Sequence, residues 1–328
     1  MKVGKVPEIV LSRSVLNQLK TKRDEVLVGA SIGEDCAIVA LKEDEEFVIS
    51  TDPITGTTKD IGTLAVHVTA NDLASNGAEP IGIMVTVLLP NPSSEKTLKN
   101  IMEQLQQACS AMNIQIMGGH TEVTDAVNQP VLSITGVGKA KKNQRITTKG
   151  AKPGQEIIVT KSIGIEGTYI MATEKEEELS TRYSKEFIEQ AKEMKNQLSI
   201  VKEAMIAKEY NVTSMHDITE GGIFGALWEV GEASEVGMEI QLSKIPIKQE
   251  TIEFCNYFDL NPYMLISSGS LLIVADRGND VVDALKAKGI EATIIGKIVE
   301  DKERVVILEE EKRFLTPPKS DEIYKIWE

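Results

Sequence analysis

The chain has 328 residues, with 36 Lys and Arg against 50 Asp and Glu, a formal charge of −14. Such a surface repels a phosphate backbone, which excludes nucleic acid as a partner. With 41% hydrophobic and 26% charged residues the chain is globular throughout, and at about 150 residues per domain its length implies two domains.

The longest apolar run, Ile81 to Leu89, is far short of the roughly 20 residues that span a bilayer, so no membrane association is expected. The N-terminus lacks a secretory pattern, which makes the cytoplasm the expected location. Cys36, Cys109 and Cys255 are too scattered for a zinc knuckle or a disulfide framework.

Residues 1–24 are polar and mildly amphipathic, and the first ordered run is Val26 to Val28, followed by a turn over 29–35. Cys36 to Leu41 and Phe47 to Thr51 read as two adjacent strands joined by the acidic turn 42–46, with Asp52 at a strand end. Apolar residues from Ile61 to Leu73 recur at helical spacing on a helix that carries Asn71 and Asp72 and stops at Gly77. Next come a strand at 80–89 and an amphipathic helix whose stripe of Leu98, Ile101, Met102, Leu105, Ala108 and Met112 predicts core. A short strand at 114–117 runs into a Gly118-Gly119-His120-Thr121 turn, and another strand covers 131–137. Gly and Pro punctuation over 149–154 places a boundary near residue 150, giving domains 1–150 and 151–328.

The second half opens with a strand at 156–160, then Gly164-Ile-Glu-Gly167 and a charged helical region over 184–209 that reads as a solvated face. His216 to Gly222 leads into a helix ending near Glu235. Strands at 271–275, 292–298 and 305–308 and a helix at 281–288 complete the chain. Strands and helices mix without strict alternation, the pattern of an α+β protein.

The chemistry lies in acidic residues set beside Gly, Thr or Asn: Asp35, Asp52, Asp72 and Asp217. A single one of these reads equally as a capping or Asx-turn residue. Four from separate segments suit Mg²⁺, which takes a few carboxylates together with phosphate oxygens. Gly118-Gly119 and Gly221-Gly222 can bring backbone N–H groups to a phosphate, or simply make turns. No GxxxxGK[ST] loop and no complete dinucleotide fingerprint is present. Lys59 either neutralises a phosphate or begins a helix at the surface. Among the histidines, His67 reads as structural, whereas His120 suits an acid, a base or a phosphate ligand, or a hydrogen-bonded turn residue.

GEDCAIV at 33–39, STDPITG at 50–56, VTANDLASNGAEP at 68–80, GGHTEV at 118–123 and HDITEGG at 216–222 occur in an order that resembles the AIR synthase (PurM-like) superfamily. Within it the body looks closest to HypE, beside aminoimidazole ribonucleotide synthetase, thiamine-monophosphate kinase and selenophosphate synthetase.

The resemblance implies an N-terminal α+β domain whose sheet forms a barrel-like core in a homodimer, followed by a C-terminal α+β domain, with ATP in the cleft between them. By motif it assigns Asp35, Asp52, Asp72 and Asp217 to Mg²⁺. It assigns Asp35, Asp52, Lys59, Asn71, Asp72, Gly118, Gly119 and Thr121 to ATP, and His120 and Asp217 to catalysis. The implied activity is ATP-dependent phosphoryl transfer to an oxygen of a small amide, carbonyl or phosphate substrate.

Two departures stand out: Asp321 to Glu328 holds no cysteine, the thiol that HypE carries there, and His120 stands where several members have an acid. They point to a HypE-like paralogue. The alternative is a nucleotide-binding assembly or regulatory protein with reduced turnover.

Overall fold

The computed structural model describes residues 1–54, 59–317 and 320–327. The chain divides into two compact units, 1–74 with 78–145 and 75–77 with 146–328. The second unit thus runs from Ile146 and also takes Ser75, Asn76 and Gly77 from the first half. No helix among the described residues is long and apolar enough to cross a membrane.

The first unit runs β1 (Gly4–Lys5), α1 (Glu8–Ser14), β2 (Val26–Val28), β3 (Ile38–Val39), β4 (Glu45–Ile54), α2 (Ile61–Ser75), β5 (Glu79–Pro90), α3 (Glu95–Ala111), β6 (Gln115–Thr124) and β7 (Val131–Lys141). Its main sheet has the order β1-β6-β5-β7-β4, with β5 and β6 parallel and α3 as the crossover between them. The sheet is open, with β1 and β4 at its edges; no closed barrel is found among the described residues.

Helix α3 starts where the Ser94 hydroxyl accepts from the Thr97 N–H, and the predicted stripe from Leu98 to Ala108 is buried. Helix α2 packs closely on β7, since a Cβ at Gly136 would sit 2.4 Å from Thr69 Cγ2.

Two expectations change. Residues 36–41 do not pair with β4. Instead β3 pairs with β2, and the Ala40 N–H bonds to the Glu25 carbonyl, while β4 forms a continuous ten-residue ladder with β7. Gly118-Gly119 is no turn, because β6 continues straight through it.

The second unit contains β8 (Glu156–Thr160), α4 (Ile165–Glu174), α5 (Glu176–Leu179), α6 (Lys185–Glu193), α7 (Val201–Ala207), β9 (Val212–Asp217), α8 (Gly222–Ser234), β10 (Gly237–Gln241), α9 (Gln249–Tyr257), β11 (Leu271–Ala275), α10 (Gly278–Lys286), β12 (Ala292–Val299), β13 (Arg304–Leu308) and β14 (Glu311–Phe314). Its seven strands are ordered β14-β13-β10-β12-β8-β11-β9, and only β10 and β13 pair in parallel. Helix α8 buries Ile223, Leu227 and Val230 against Val159, Met238 and Leu272. The charged stretch 184–209 is two helices and a 3₁₀ turn, and it has a buried side as well: Ile188, Ala191, Met194, Leu198 and Ala204.

Gly119 is fixed by geometry. Its φ is +149°, and a Cβ there would lie 1.9 Å from the Val85 carbonyl oxygen. Gly119→Ala is therefore expected to lower stability by at least about 2 kcal/mol, read as a fall in the urea midpoint of the first unit's unfolding.

Candidate functional site

The register of the first sheet sorts the candidate residues onto its faces. Asp52 lies in one row with Ile134, Val85 and Gly119, each pairing with the next across four strands. On β4, Phe47, Ile49, Thr51 and Pro53 are exposed, whereas Ser50 and Asp52 turn toward α2.

There the Ser50 hydroxyl is hydrogen-bonded to Asp72 on α2 and lies 3.3 Å from Asp52 Oδ2, so one uncharged group joins two of the candidate carboxylates. Asn71 is fully buried on the same helix. Ser50 was not singled out by sequence reasoning; its signal is the i, i+2 spacing to Asp52 on a strand, which puts both on one face.

A cavity of about 350 Å³ opens elsewhere in the first unit. Its floor is apolar, built from Val15, Leu19, Val85, Val87, Met102 and Ile116, and its polar rim includes Asp35, His120 and Thr121 with Gly118 and Gly119. An apolar pocket with a few converging polar groups is the usual form of a small-molecule site. Asp52, Lys59, Asn71 and Asp72 do not line it.

His120 and Glu122 alternate with the buried Thr121 and Val123, and the imidazole Nε2 is 3.1 Å from Glu122 Oε2. His120 pairs with Thr86, which pairs with Ser133 and in turn with Pro53, so it stands on the face opposite Asp52. Lys59 is exposed, two residues before α2, while Gly56 and its neighbours at 55–58 lie outside the described residues. Among the described residues no three His, Cys, Asp or Glu side chains converge as a metal cage. Asp52 and Asp72 are the two candidate carboxylates that Ser50 brings together and that could share a divalent cation.

In the second unit Asp217 ends β9 and is buried. His216 beside it is held at both nitrogens, by Glu229 Oε2 at 2.7 Å and by Thr148 Oγ1 at 3.3 Å. Burial works against its charge, but the Glu229 hydrogen bond and the Asp217 and Glu229 charges outweigh this and raise its pKa.

Gly221 and Gly222, both at positive φ, open α8. The anion at that N-terminus is the chain's own: Asp321 Oδ2 accepts from the Gly221 N–H at 2.7 Å.

Residues 33–140 match the N-terminal domain of AIR synthase related proteins, and residues 152–309 match their C-terminal domain. The chain is 26% identical to a hydrogenase expression/formation protein of Methanocaldococcus jannaschii, over 93% of this chain and 91% of that one. It is 30% identical to the carbamoyl dehydratase HypE of Rhizobium leguminosarum, over 74% and 69% of the two chains. A solved structure of the hydrogenase maturation protein HypE in complex with ATP shares the fold, with a TM-score of 0.81 at 18% identity over 98% of this chain and 97% of that one.

The His216 contacts set a measurable expectation. In an NMR titration its imidazole keeps its proton above the ordinary value of 6.5, and Glu229→Gln moves the midpoint down.

Proposed function

Because the chain belongs to the AIR synthase related proteins, matched over both of its halves, we propose that it is an ATP-dependent enzyme that transfers a phosphoryl group to an oxygen of a small amide, carbonyl or phosphate substrate. The observation that carries the reading is the Asp52 and Asp72 pair joined by Ser50. It is supported by the 30% identity to a carbamoyl dehydratase and by the fold shared with an ATP complex.

On this reading Asp52 and Asp72 hold Mg²⁺, and Asn71 and Lys59 flank them. Asp35, Gly118, Gly119 and Thr121 belong to the nucleotide site at the cavity rim. Bound Mg-ATP supplies the transferable phosphoryl group and neutralises its charge. The protein's own part is positioning, which dominates phosphoryl transfer and requires no nucleophile from the chain.

His120 has Glu122 as a partner to orient it and is suited to moving a proton at the exposed face. Asp217, buried at the end of β9, is the candidate acid or base of the second unit. Cys109 and Cys255 are buried and burial pushes both thiols up to about 12, so neither serves as a nucleophile. Cys36 is the exposed thiol, and on this reading the acceptor oxygen belongs to a diffusible substrate, as in a HypE-like paralogue.

We assign the exposed face of β4 to a second copy of the chain. Phe47 and Ile49 are 50% and 64% exposed there, on an edge strand whose outer side has no partner among the described residues. Sedimentation is expected to give a dimer, and Ile49→Glu a monomer with unchanged helix and strand content.

Calorimetric titration with Mg-ATP, with phosphate release followed in the same sample, tests the site. Asp52→Asn is expected to weaken Mg-ATP binding at least about ten-fold while the protein stays folded. Equal affinity in the folded variant removes Asp52 from the site, and tight binding without turnover in any substrate screen favours a regulatory protein.

A further inference from the structure

Leu11, Val15, Leu16 and Leu19 line the cavity together with Val85 from β5 and Met102 from α3. They belong to a strap, residues 7–19, that is fixed at both ends. Before it, β1 pairs with β6 and the buried Val6 donates its N–H to the Thr121 carbonyl at 3.1 Å. After it, the Lys20 N–H donates to Gln106 Oε1 at 3.0 Å, Gln106 Nε2 donates to Thr21 Oγ1 at 2.9 Å, and the Arg23 N–H donates to Gln115 Oε1 at 2.7 Å. Gln106 and Gln115 are buried, so these bonds are shielded from water.

Between the two anchors the attachment is thin. Helix α1 has seven residues, too few to hold a helix in water by themselves, and of residues 7–19 Ser14 and Val15 alone are buried. Among the described residues one polar group of the body is bonded to the strap: Glu95, in the first turn of α3. Arg13 donates to both Glu95 oxygens, and the Ser14 hydroxyl donates to Oε1 at 2.6 Å. These bonds, Arg13 first and Ser14 second, hold the Glu95 carboxyl down at about 2, so it stays ionised across the neutral range.

We propose that residues 7–19 are a flap over the cavity, with Arg13 and Glu95 as its catch: a ligand enters and leaves while the catch is open. The ligand is the nucleotide already assigned to the rim, an assignment on which the gating rests, whereas the flap stands on its two anchors and single tether. No covalent bond changes. Opening turns Leu11, Val15, Leu16 and Leu19 from the cavity to water, which drives the flap back to its seat whether the cavity is empty or filled. Arg13, Ser14 and Glu95 do not line the cavity. The catch therefore contributes equally to closure of the free and of the loaded protein.

That placement fixes a kinetic signature. Association follows the open fraction of the free chain and dissociation the open fraction of the loaded one, so a weaker catch raises both by one factor. Affinity, the ratio of the two rates, is unchanged. A side chain that touched the ligand would instead raise dissociation alone when it is removed.

Surface plasmon resonance with Mg-ATP over the immobilised full chain reads both rates. Arg13→Ala and Glu95→Gln are each expected to raise association and dissociation together, at least about five-fold, with Kd within about two-fold of the unaltered chain. Dissociation that rises alone, or rates that do not move, overturn the catch. Hydrogen exchange of the free chain needs no ligand: in Arg13→Ala the Leu11 and Val15 amides are expected to exchange at least about five-fold faster, while the Val6 and Lys20 amides keep their protection. An equal rise at Val6 and Lys20 means that the whole N-terminal segment peels away, and an unchanged rate at Leu11 and Val15 means that no flap opens there; either result overturns the proposal. If the exchange result holds while Mg-ATP gives no signal, the flap stands and the assignment of a nucleotide to the cavity falls.

Discussion

Where β5 meets β6, the Val85 carbonyl occupies the space that a side chain at position 119 would need. The pairing of these parallel strands shifts by one residue between Ile83 and Met84, and everything downstream on β6 takes its register from there. Beyond the shift Thr121 and Val123 point inward and His120 and Glu122 outward, and β1 pairs with Val123 and Glu122 at the far side of β6. Gly119, at a close backbone contact that only glycine permits, lies on the cavity rim next to His120.

Charge in the first unit is arranged so that its well-buried cations are already committed. Arg23 bridges Glu25 and Glu79, and Lys139 reaches Glu25 at 2.5 Å. The Arg23 hydrogen bond, then that of Lys139, holds Glu25 well below the usual carboxylate range in spite of its burial. Removing either cation would leave a poorly hydrated carboxylate, which is why such networks are costly to break and unavailable for a ligand. With these two cations committed, a nucleotide in this unit draws its positive charge from a bound cation, backbone N–H groups and exposed lysines such as Lys59. The Ser50 arrangement suits the first of these, because two carboxylates drawn to one hydroxyl repel each other until a divalent ion lies between them.

Elements with long, regular periodicity were legible. The stripe of α3 is buried, and 271–275 is a strand end to end. Non-local pairing was not legible: nothing in residues 36–41 says that they join β2 and leave β4 to β7. The glycines of 118–119 read as a turn because glycine marks turns and close approaches alike, and only the neighbouring strand distinguishes the two. From sequence the charged stretch 184–209 reads as a solvated face, although the buried Glu203 within it pairs with Lys161 at 2.6 Å. At the candidate site the acids stand out by residue type, whereas Ser50 does not. Its importance arises from what the fold places against it, Asp72 from another element.

Strand β4 shows how much rests on a period of two. Its inward residues, Ser50 and Asp52, face α2 and Asp72, while its outward residues, Phe47 and Ile49, form the apolar face that we assign to a second copy. Both roles are written on consecutive residues, so a one-residue slip against β7 would turn Asp52 outward and bury Phe47 under α2. The ten-residue ladder from Glu45 opposite Lys141 to Ile54 opposite Leu132 resists that slip. It also ties the two faces together, since any distortion of β4 imposed at the outer face is transmitted through the same backbone to the Ser50 hydroxyl that joins the carboxylates. A contact on one side of the sheet therefore bears directly on the geometry of the site on the other.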